Sequence, residues 1–516
     1  MLYFANNNIV FIHMGFKFIS AFLLLFLFIS CNTEKRPREV VLYENYCASC
    51  HLAPNIQDLP KDIWKHSILP DMAARMGVET EGYHPYMNLS FPEQLAIIKT
   101  GIYPSKAIID IEDWNLLRDY IIKMAPDSSK STSNENKSIP ITKFKLTPVS
   151  LDSAFGSLYT FLKIDTLNKS IIAGTRKGEL TSYNFADNKN THIGYFNRAI
   201  TDARVLDDSV FVTTMGSLTP SEIPMGKTIL KLKNSSATLA DSLHRPVHTL
   251  YKDLNGNGNE EIIISEFGDL VGKLSLYEKN NFGFYKGRII LNIPGCTRTI
   301  SRDMNNDGKE DLVVLAGQGD ESIYILYQKE NLEFTVDKVI RFSPVYGSSW
   351  FELVDYNADG YQDIITVNGD NADKSFVNKP FHGMRIHIND GNNNFEETYF
   401  YPLNGATRVV ANDFDQDGDL DFALLATFPD YENHPEYNFV YLENVNSGNY
   451  VFNQEHLADI KMARWFLMDA ADIDGDGDQD IVLSALTYSF TPVPEYLEKA
   501  WSKSYTDLLI LENKLH

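Results

Sequence analysis

The pattern of apolar and polar positions divides the chain into four zones. The first holds an apolar run, Phe18–Ile29, interrupted by Ser20. Residues 32–126 place apolar side chains at helical spacing in four stretches, Arg38–Tyr46, Asp62–Met76, Pro92–Thr100 and Glu112–Met124. In the last of these Trp114, Leu117, Tyr120 and Ile121 share one face, which predicts a small all-α domain. Residues 127–138 offer nothing apolar to bury, so 127–140 read as a flexible linker. From 141 to 516 the apolar runs become short and rich in β-branched residues, as in Ile262–Ile264, Leu312–Leu315, Ile364–Val367, Phe422–Leu425 and Ile481–Leu483. Such runs, bounded by turn residues, predict strands and an all-β domain.

Each of those five runs follows the same acidic segment. The five sets of oxygen-bearing residues are Asp253, Asn255, Asn257 and Glu261; Asp303, Asn305, Asp307 and Asp311; Asp355, Asn357, Asp359 and Asp363; Asp413, Asp415, Asp417 and Asp421; and Asp472, Asp474, Asp476 and Asp480. They occupy positions 1, 3, 5 and 9, with glycine always at position 6. Hard oxygen donors at alternate positions around a tight turn suit calcium, up to five ions here. An EF-hand is excluded, because its bidentate acid comes at position 12 between two helices. The sets at Asp413 and Asp472 are both all carboxylate; the Asp472 set is expected to be the strongest site, and the Asp253 set the weakest. Solvated acidic turns without metal would leave the invariant glycine unexplained.

The segment starts lie 50, 52, 58 and 59 residues apart (303−253, 355−303, 413−355, 472−413). One unit comprises four strands, for example Cys296–Arg302, Leu312–Ala316, Ser322–Tyr327 and Glu333–Ile340, which is the period of a propeller blade. From about residue 145 onward the sequence resembles the FG-GAP or VCBS repeats of integrin-α-type propellers. Two further units without ligands, around Ser157–Tyr183 and Arg204–Leu230, bring the expectation to seven blades. The last unit stops after three strands, and Ile141–Val149 is expected to supply its fourth, which would close the ring and remove both free edges.

Composition narrows the function. The chain has 516 residues, 44% of them hydrophobic, and a formal net charge of −23. No clustered Lys and Arg surface is evident, so nucleic acid is not an expected partner. Only four cysteines occur, too few for a disulfide framework. The first, Cys31, ends a stretch with a lysine, a short apolar core and Ser30, which has the order of a secretory signal and resembles a lipobox. That resemblance implies lipidation at Cys31, a true start at Met14 and an exported lipoprotein on the periplasmic or cell-surface side of a membrane. An uncleaved N-terminal anchor is the alternative, and it delivers the chain to the same side.

Cys47, Cys50 and His51 form C-x-x-C-H, the attachment sequence of c-type haem, with His51 as proximal ligand. A thioredoxin-like pair wants a βαβ context and a zinc site wants two more ligands; neither is evident. Residues 32–126 resemble monohaem cytochrome c domains, which implies one covalent haem and a sixth ligand from Met or His. The candidates are Met72, Met76, Met87, His66 and His84. The stretch from Trp64 to Met72 is similar to the ligand helix of some short cytochromes, which points to Met72, with Met76 as rival and core packing as the plain alternative for both.

Five residues before the first loop Asp stand His248, Arg298, Trp350 and Arg408, with Arg464 and Trp465 slightly earlier in the seventh unit. Equivalent positions form a ring about a propeller axis, so these side chains are expected near one end of the channel, suiting an anionic or carbonyl-bearing ligand. Filling gaps between blades is the plain alternative. No nucleophile elbow, phosphate loop or H-E-x-x-H pattern names a reaction. Electron transfer with a redox partner protein or donor substrate is the leading expectation. A calcium-stiffened glycan- or protein-binding module with accessory haem, and a propeller enzyme of the dehydrogenase or polysaccharide lyase kind, are the alternatives.

Overall fold

The computed structural model describes residues 36–129, 137–370, 372, 375–488 and 491–515. Cys31 and the apolar run before it lie outside them. Residues 141–515 form a seven-bladed β-propeller: among the described residues there are seven sheets, each with at least four strands in antiparallel succession. The blades begin with Tyr159–Asp165, Ile200–Leu206, Pro246–Lys252, Cys296–Arg302, Ser348–Val354, Ala406–Asn412 and Trp465–Ala471. These first strands pack against one another around the axis, and that of blade 7 meets that of blade 1. Closure is as expected from the sequence. Phe144–Val149 pairs antiparallel with Leu508–Asn513 as the fourth strand of blade 7, so the last blade is completed from the N-terminal side of the propeller.

Second strands explain the continuous apolar runs. In blades 3 to 7 all six residues of Glu261–Glu266, Asp311–Ala316, Asp363–Asn368, Asp421–Ala426 and Asp480–Ala485 are buried. Each has a neighbouring blade on both faces, so alternation is lost. First strands face the channel on one side and keep a mixed pattern, such as the buried Cys296 and Thr299 between half-buried neighbours.

The N-terminal residues make short helices. Arg38–Leu42 runs into a π-helical turn at Tyr43–Cys47, and a second π-turn, Trp64–Ile68, leads into Leu69–Arg75. Phe91–Thr100 and Ile111–Met124 complete the set. Trp114, Leu117 and Ile121 sit in a core with Leu59, Trp64 and Ala73, and the Trp64 indole N–H donates to the Ile56 carbonyl at 3.0 Å. Val345 of the propeller belongs to the same core, with Tyr346 and Phe381 packed against it. The helices therefore share a hydrophobic cluster with blades 4 and 5. The expected linker also ends early, because Ser138–Pro140 adds a parallel fifth strand to blade 6. Extended polar backbone beside an open sheet edge gains ladder hydrogen bonds without needing apolar side chains.

Glu321 illustrates how blades are joined at the expense of solvation. Its carboxylate is buried, accepts the Ser348 backbone N–H at 2.9 Å, and is pushed up to about 7, chiefly by burial. A carboxyl raised in the folded state favours folding fully below its unfolded value, and that contribution is lost as pH rises toward 7. At about 1.4 kcal/mol per unit the loss is on the order of 3 kcal/mol. Glu321→Gln keeps an acceptor for Ser348 and is expected to remove that slope. Urea midpoints of both proteins between pH 4.5 and 7.5 check this, and parallel profiles would show that Glu321 does not titrate there.

Candidate functional site

Antiparallel succession within each blade fixes two ends of the propeller. The acidic segments join first to second strands and lie at one end. The connections from second to third strands, and from each blade to the next, lie at the other.

At the acidic end the five loops share one geometry. The position-1 carboxylate accepts the glycine N–H of position 6, as Asp303 does from Gly308 at 2.8 Å and Asp355 from Gly360 at 2.9 Å. Gly308 has φ 83° and Gly360 φ 90°, a region that glycine enters without strain. Carboxylate oxygens of Asp413, Asp415 and Asp417 lie within 4.8 Å of one another, as do those of Asp472, Asp474 and Asp476. The other three sets mix Asp with Asn; in one the Asn357 amide donates to Asp359 at 2.8 Å, and in another the Asn255 amide donates to Glu261 at 3.1 Å. Beside the first cluster, Asp419 is pushed up to about 6 by burial and by the charges of Asp417, Asp415 and Asp413.

Position 9 does something that spacing did not reveal. Asp311 accepts from Met304 N at 3.0 Å and Gln328 N at 2.8 Å; Asp363 accepts from Tyr356 N and Asn389 N; Asp421 from Phe414 N and Asn444 N; Asp480 from Ile473 N and Asn513 N. Glu261 likewise accepts from Leu254 N. These acids brace the loop against the third strand, and the carboxylate groupings are made from positions 1, 3 and 5. The donor set is all oxygen and suits a hard cation.

At the opposite end the channel ring assembles. Every first strand has a register shift near its start, and the residues directly after it are Phe161, Asp202, His248, Arg298, Trp350, Arg408 and Leu467. The four residues chosen from sequence thus share one level of consecutive blades. In the seventh blade Leu467, rather than Arg464 or Trp465, holds that level. The Trp350 indole lies between two guanidinium groups, with Arg298 Cζ 4.1 Å and Arg408 Cζ 3.8 Å from its ring centroid. Glu352 Oε1 accepts from Arg298 at 2.5 Å and from the Trp350 indole N–H at 2.9 Å. Glu352 neutralises Arg298, whereas Arg408 has no such carboxylate among the described residues. Burial and then the Arg298 charge push Arg408 down to about 9, so it stays cationic at neutral pH. Burial and the Arg298, Arg408 and Lys163 charges push His248 down to about 3, which leaves a neutral imidazole whose Nδ1 has no partner. Asp202, which accepts Thr249 N at 2.7 Å, is pushed up to about 7 by burial.

Sequence reading missed Glu352 and Asp202, although both carried a signal. Glu352 is two residues beyond Trp350 and so on the same strand face. Asp202 lies five residues before Asp207 in the turn of the ligand-free second blade.

The helices pack at this end too. Glu93 accepts from the Ser221 hydroxyl at 2.7 Å, and Tyr346 stacks on Phe381 with centroids 5.0 Å apart. Cys47 and Cys50 are free thiols; Cys47 packs against the helical core, where burial pushes its thiol up to about 12, and Cys50 is exposed. His51 Nδ1 lies 2.9 Å from the Leu52 carbonyl. A carbonyl only accepts, so Nδ1 is the donor in this contact and Nε2 points elsewhere. Met72 is half-buried against the same core as Cys47, while Met76 is buried within it. Asp71 pins the turn that carries Met72, accepting from Arg75 at 3.0 Å, Tyr83 at 2.8 Å and Tyr103 at 3.1 Å. Met87 is exposed, His66 pairs with Asp62 at the surface, and His84 is exposed beside Tyr86. Cys296 is a buried packing thiol directed at the Ile293 carbonyl.

No described helix is long and apolar enough to cross a membrane. Residues 303–366 match the FG-GAP-like repeat, from the Asp303 loop through the Asp355 loop. No curated protein matches the chain. Among solved structures, the chain is similar to the Pan2 WD40 domain of Neurospora crassa, at 11% identity and TM-score 0.42, covering 73% of this chain and 98% of that one. It is also similar to an auxiliary nutrient binding protein from Bacteroides ovatus, at 11% identity and TM-score 0.34, covering 52% and 67%.

Proposed function

We propose that this chain is an exported lipoprotein that transfers electrons through one covalent haem c, and that its calcium-stabilised propeller presents an anion-reading channel mouth beside the haem-bearing helices. The observation that carries the reading is the placement of C-x-x-C-H: Cys47 and Met72 pack against one helical core, and the His51 Nδ1 donates to the Leu52 carbonyl, which directs Nε2 to a metal. Cys47 and Cys50 would hold the porphyrin, His51 the iron, and Met72 the sixth position. Haem c supplies one-electron transfer when bound. Asp71, Arg75, Tyr83 and Tyr103 fix the Met72 turn. Asp413, Asp415 and Asp417, and Asp472, Asp474 and Asp476, would hold calcium most firmly, with the Asp253, Asp303 and Asp355 loops as further sites. Lipidation of Cys31 would tether the chain to a membrane.

At the channel mouth Arg408 offers an unneutralised fork for a carboxylate or carbonyl oxygen, Trp350 a flat face, and His248 a neutral hydrogen-bonding group. The ligand is an anionic or carbonyl-bearing donor, and a redox partner protein is the second partner. Arg298→Ala with Arg408→Ala tests the coupling. Haem reduction by carbonyl-bearing and anionic donors is expected to slow at least tenfold, with the melting temperature and haem spectrum retained. Wild-type rates in a stable double variant would remove the channel from the electron path.

A further inference from the structure

A second cleft shares no residue with the channel ring. It opens at the same end of the propeller, over blades 1 and 2, with a volume of about 600 Å³, and its lining includes Arg176, Lys177, Tyr195, Asn197, Arg198 and Met225. Its position follows from unequal connections. Blade 7 carries a long insertion with the helix Glu495–Trp501, and the connection from second to third strand in blade 2 is held by Glu93 of the N-terminal helices through Ser221. Between them blade 1 has only the short turn from Thr175 to Glu179. The cleft occupies that gap.

Its walls are preformed. Gly178 has φ 95°, and a Cβ there would lie 2.6 Å from the backbone nitrogens of Asn197 and Arg198. The Gly178 carbonyl accepts Phe196 N at 2.7 Å. This close approach sets Arg176 and Lys177 against Asn197 and Arg198, and a side chain at 178 would force them apart.

Its charge is opposite in sign to that of the chain as a whole. Within a chain of net charge −23, the cleft gathers three cations, has no acid in its lining, and none of the three is ion-paired among the described residues. Arg176 rests on the Tyr488 ring, 4.0 Å from its centroid, and Arg198 Nη1 lies 3.7 Å from Met225 Sδ. These contacts orient the guanidinium groups without neutralising them. Tyr195 is 62% exposed and offers a flat face at the rim, and Asn197 adds a hydrogen-bonding side chain. Fixed guanidinium forks read carboxylates, an open aromatic face suits a sugar ring, and the volume falls in the range of small-molecule sites.

We infer that this cleft binds an acidic saccharide, a short chain of sugar rings bearing carboxylates. The net negative charge of the chain disfavours non-specific contact with such a ligand, and the three cations of the cleft offset it locally. The inference is independent of the haem and of the channel mouth.

The test is calorimetric titration of the full chain, loaded with haem and calcium, with trigalacturonate, a neutral trisaccharide and a sulfated disaccharide. Binding of trigalacturonate is expected, with the neutral sugar at least tenfold weaker and the sulfated one weaker than the carboxylate. Arg198→Ala is expected to weaken binding at least tenfold, and Arg176→Ala, Lys177→Ala and Arg198→Ala combined to remove it, with melting temperature and haem spectrum unchanged. Lys189→Ala, an exposed cation outside the cleft, is expected to bind as the wild type does. Absence of trigalacturonate binding, equal affinity for the neutral sugar, preference for sulfate, or wild-type binding by the folded triple variant would each overturn the inference. Loss on Arg408→Ala with the triple variant unaffected would move the ligand to the channel and overturn it as well.

Discussion

Replacing Cys47 and Cys50 together with alanine is expected to abolish covalent haem attachment in exported protein, whereas Met72→Ala keeps the haem bound and changes only its iron. In the proposed haem site the two thiols would be the covalent link and the Met72 thioether the sixth ligand. Loss of Met72 is therefore expected to convert a low-spin spectrum to a high-spin or water-ligated one and to lower the potential. Met76 is buried in the helical core, so Met76→Leu is the appropriate comparison, costing under about 1.5 kcal/mol as a volume-conserving change. Its spectrum is expected to match the wild type. A changed spectrum in Met76→Leu with an unchanged one in Met72→Ala would transfer the ligand, and wild-type protein exported alongside haem-attachment machinery yet carrying no haem would end the electron-transfer reading.

Chelation is expected to lower the melting temperature of the propeller by many degrees while leaving the haem spectrum intact. A site kept at about a hundred times its dissociation constant stabilises the folded state by about 2.7 kcal/mol, and several sites act together. The loop geometry separates two roles within one segment. Asp476→Asn keeps an acceptor for Asp478 N but removes a ligand charge, so it is expected to destabilise only when calcium is present. Asp480→Ala strands the N–H groups of Ile473 and Asn513, at about 1–3 kcal/mol each, and is expected to destabilise with or without calcium. Melting curves of both variants with calcium and with chelator check this. An unchanged wild-type melting temperature in chelator, with no calcium by elemental analysis, would remove the metal reading.

Much of the fold was legible because its determinants are local. Trp114, Leu117 and Ile121 declared a helix by spacing alone, and the five acidic segments declared strand-joining turns by their glycines. The three-stranded last unit pointed to Ile141–Val149, within which Phe144–Val149 forms the closing strand. The groups that complete the sites were harder to see. Glu352 joins the ring by pairing with Arg298 of the neighbouring blade, and the position-9 acids serve third strands 17 to 33 residues away.

Sequence by itself determined the strand period, the blade count, the closure of the ring, and the spacing of C-x-x-C-H and of the acidic loops. Each depends on side-chain alternation or ligand spacing over a few residues. Tertiary structure alone decided that Ser138–Pro140 joins blade 6, that Val345, Tyr346 and Phe381 seat the helices at the channel-mouth end, and that Trp350 lies between Arg298 and Arg408. It also decided that Arg176, Lys177 and Arg198 meet in one cleft. These depend on which segments become neighbours when the ring closes, and the energies involved, cation–π contacts, ion pairs and shared burial, exist only between surfaces that the fold has already brought together.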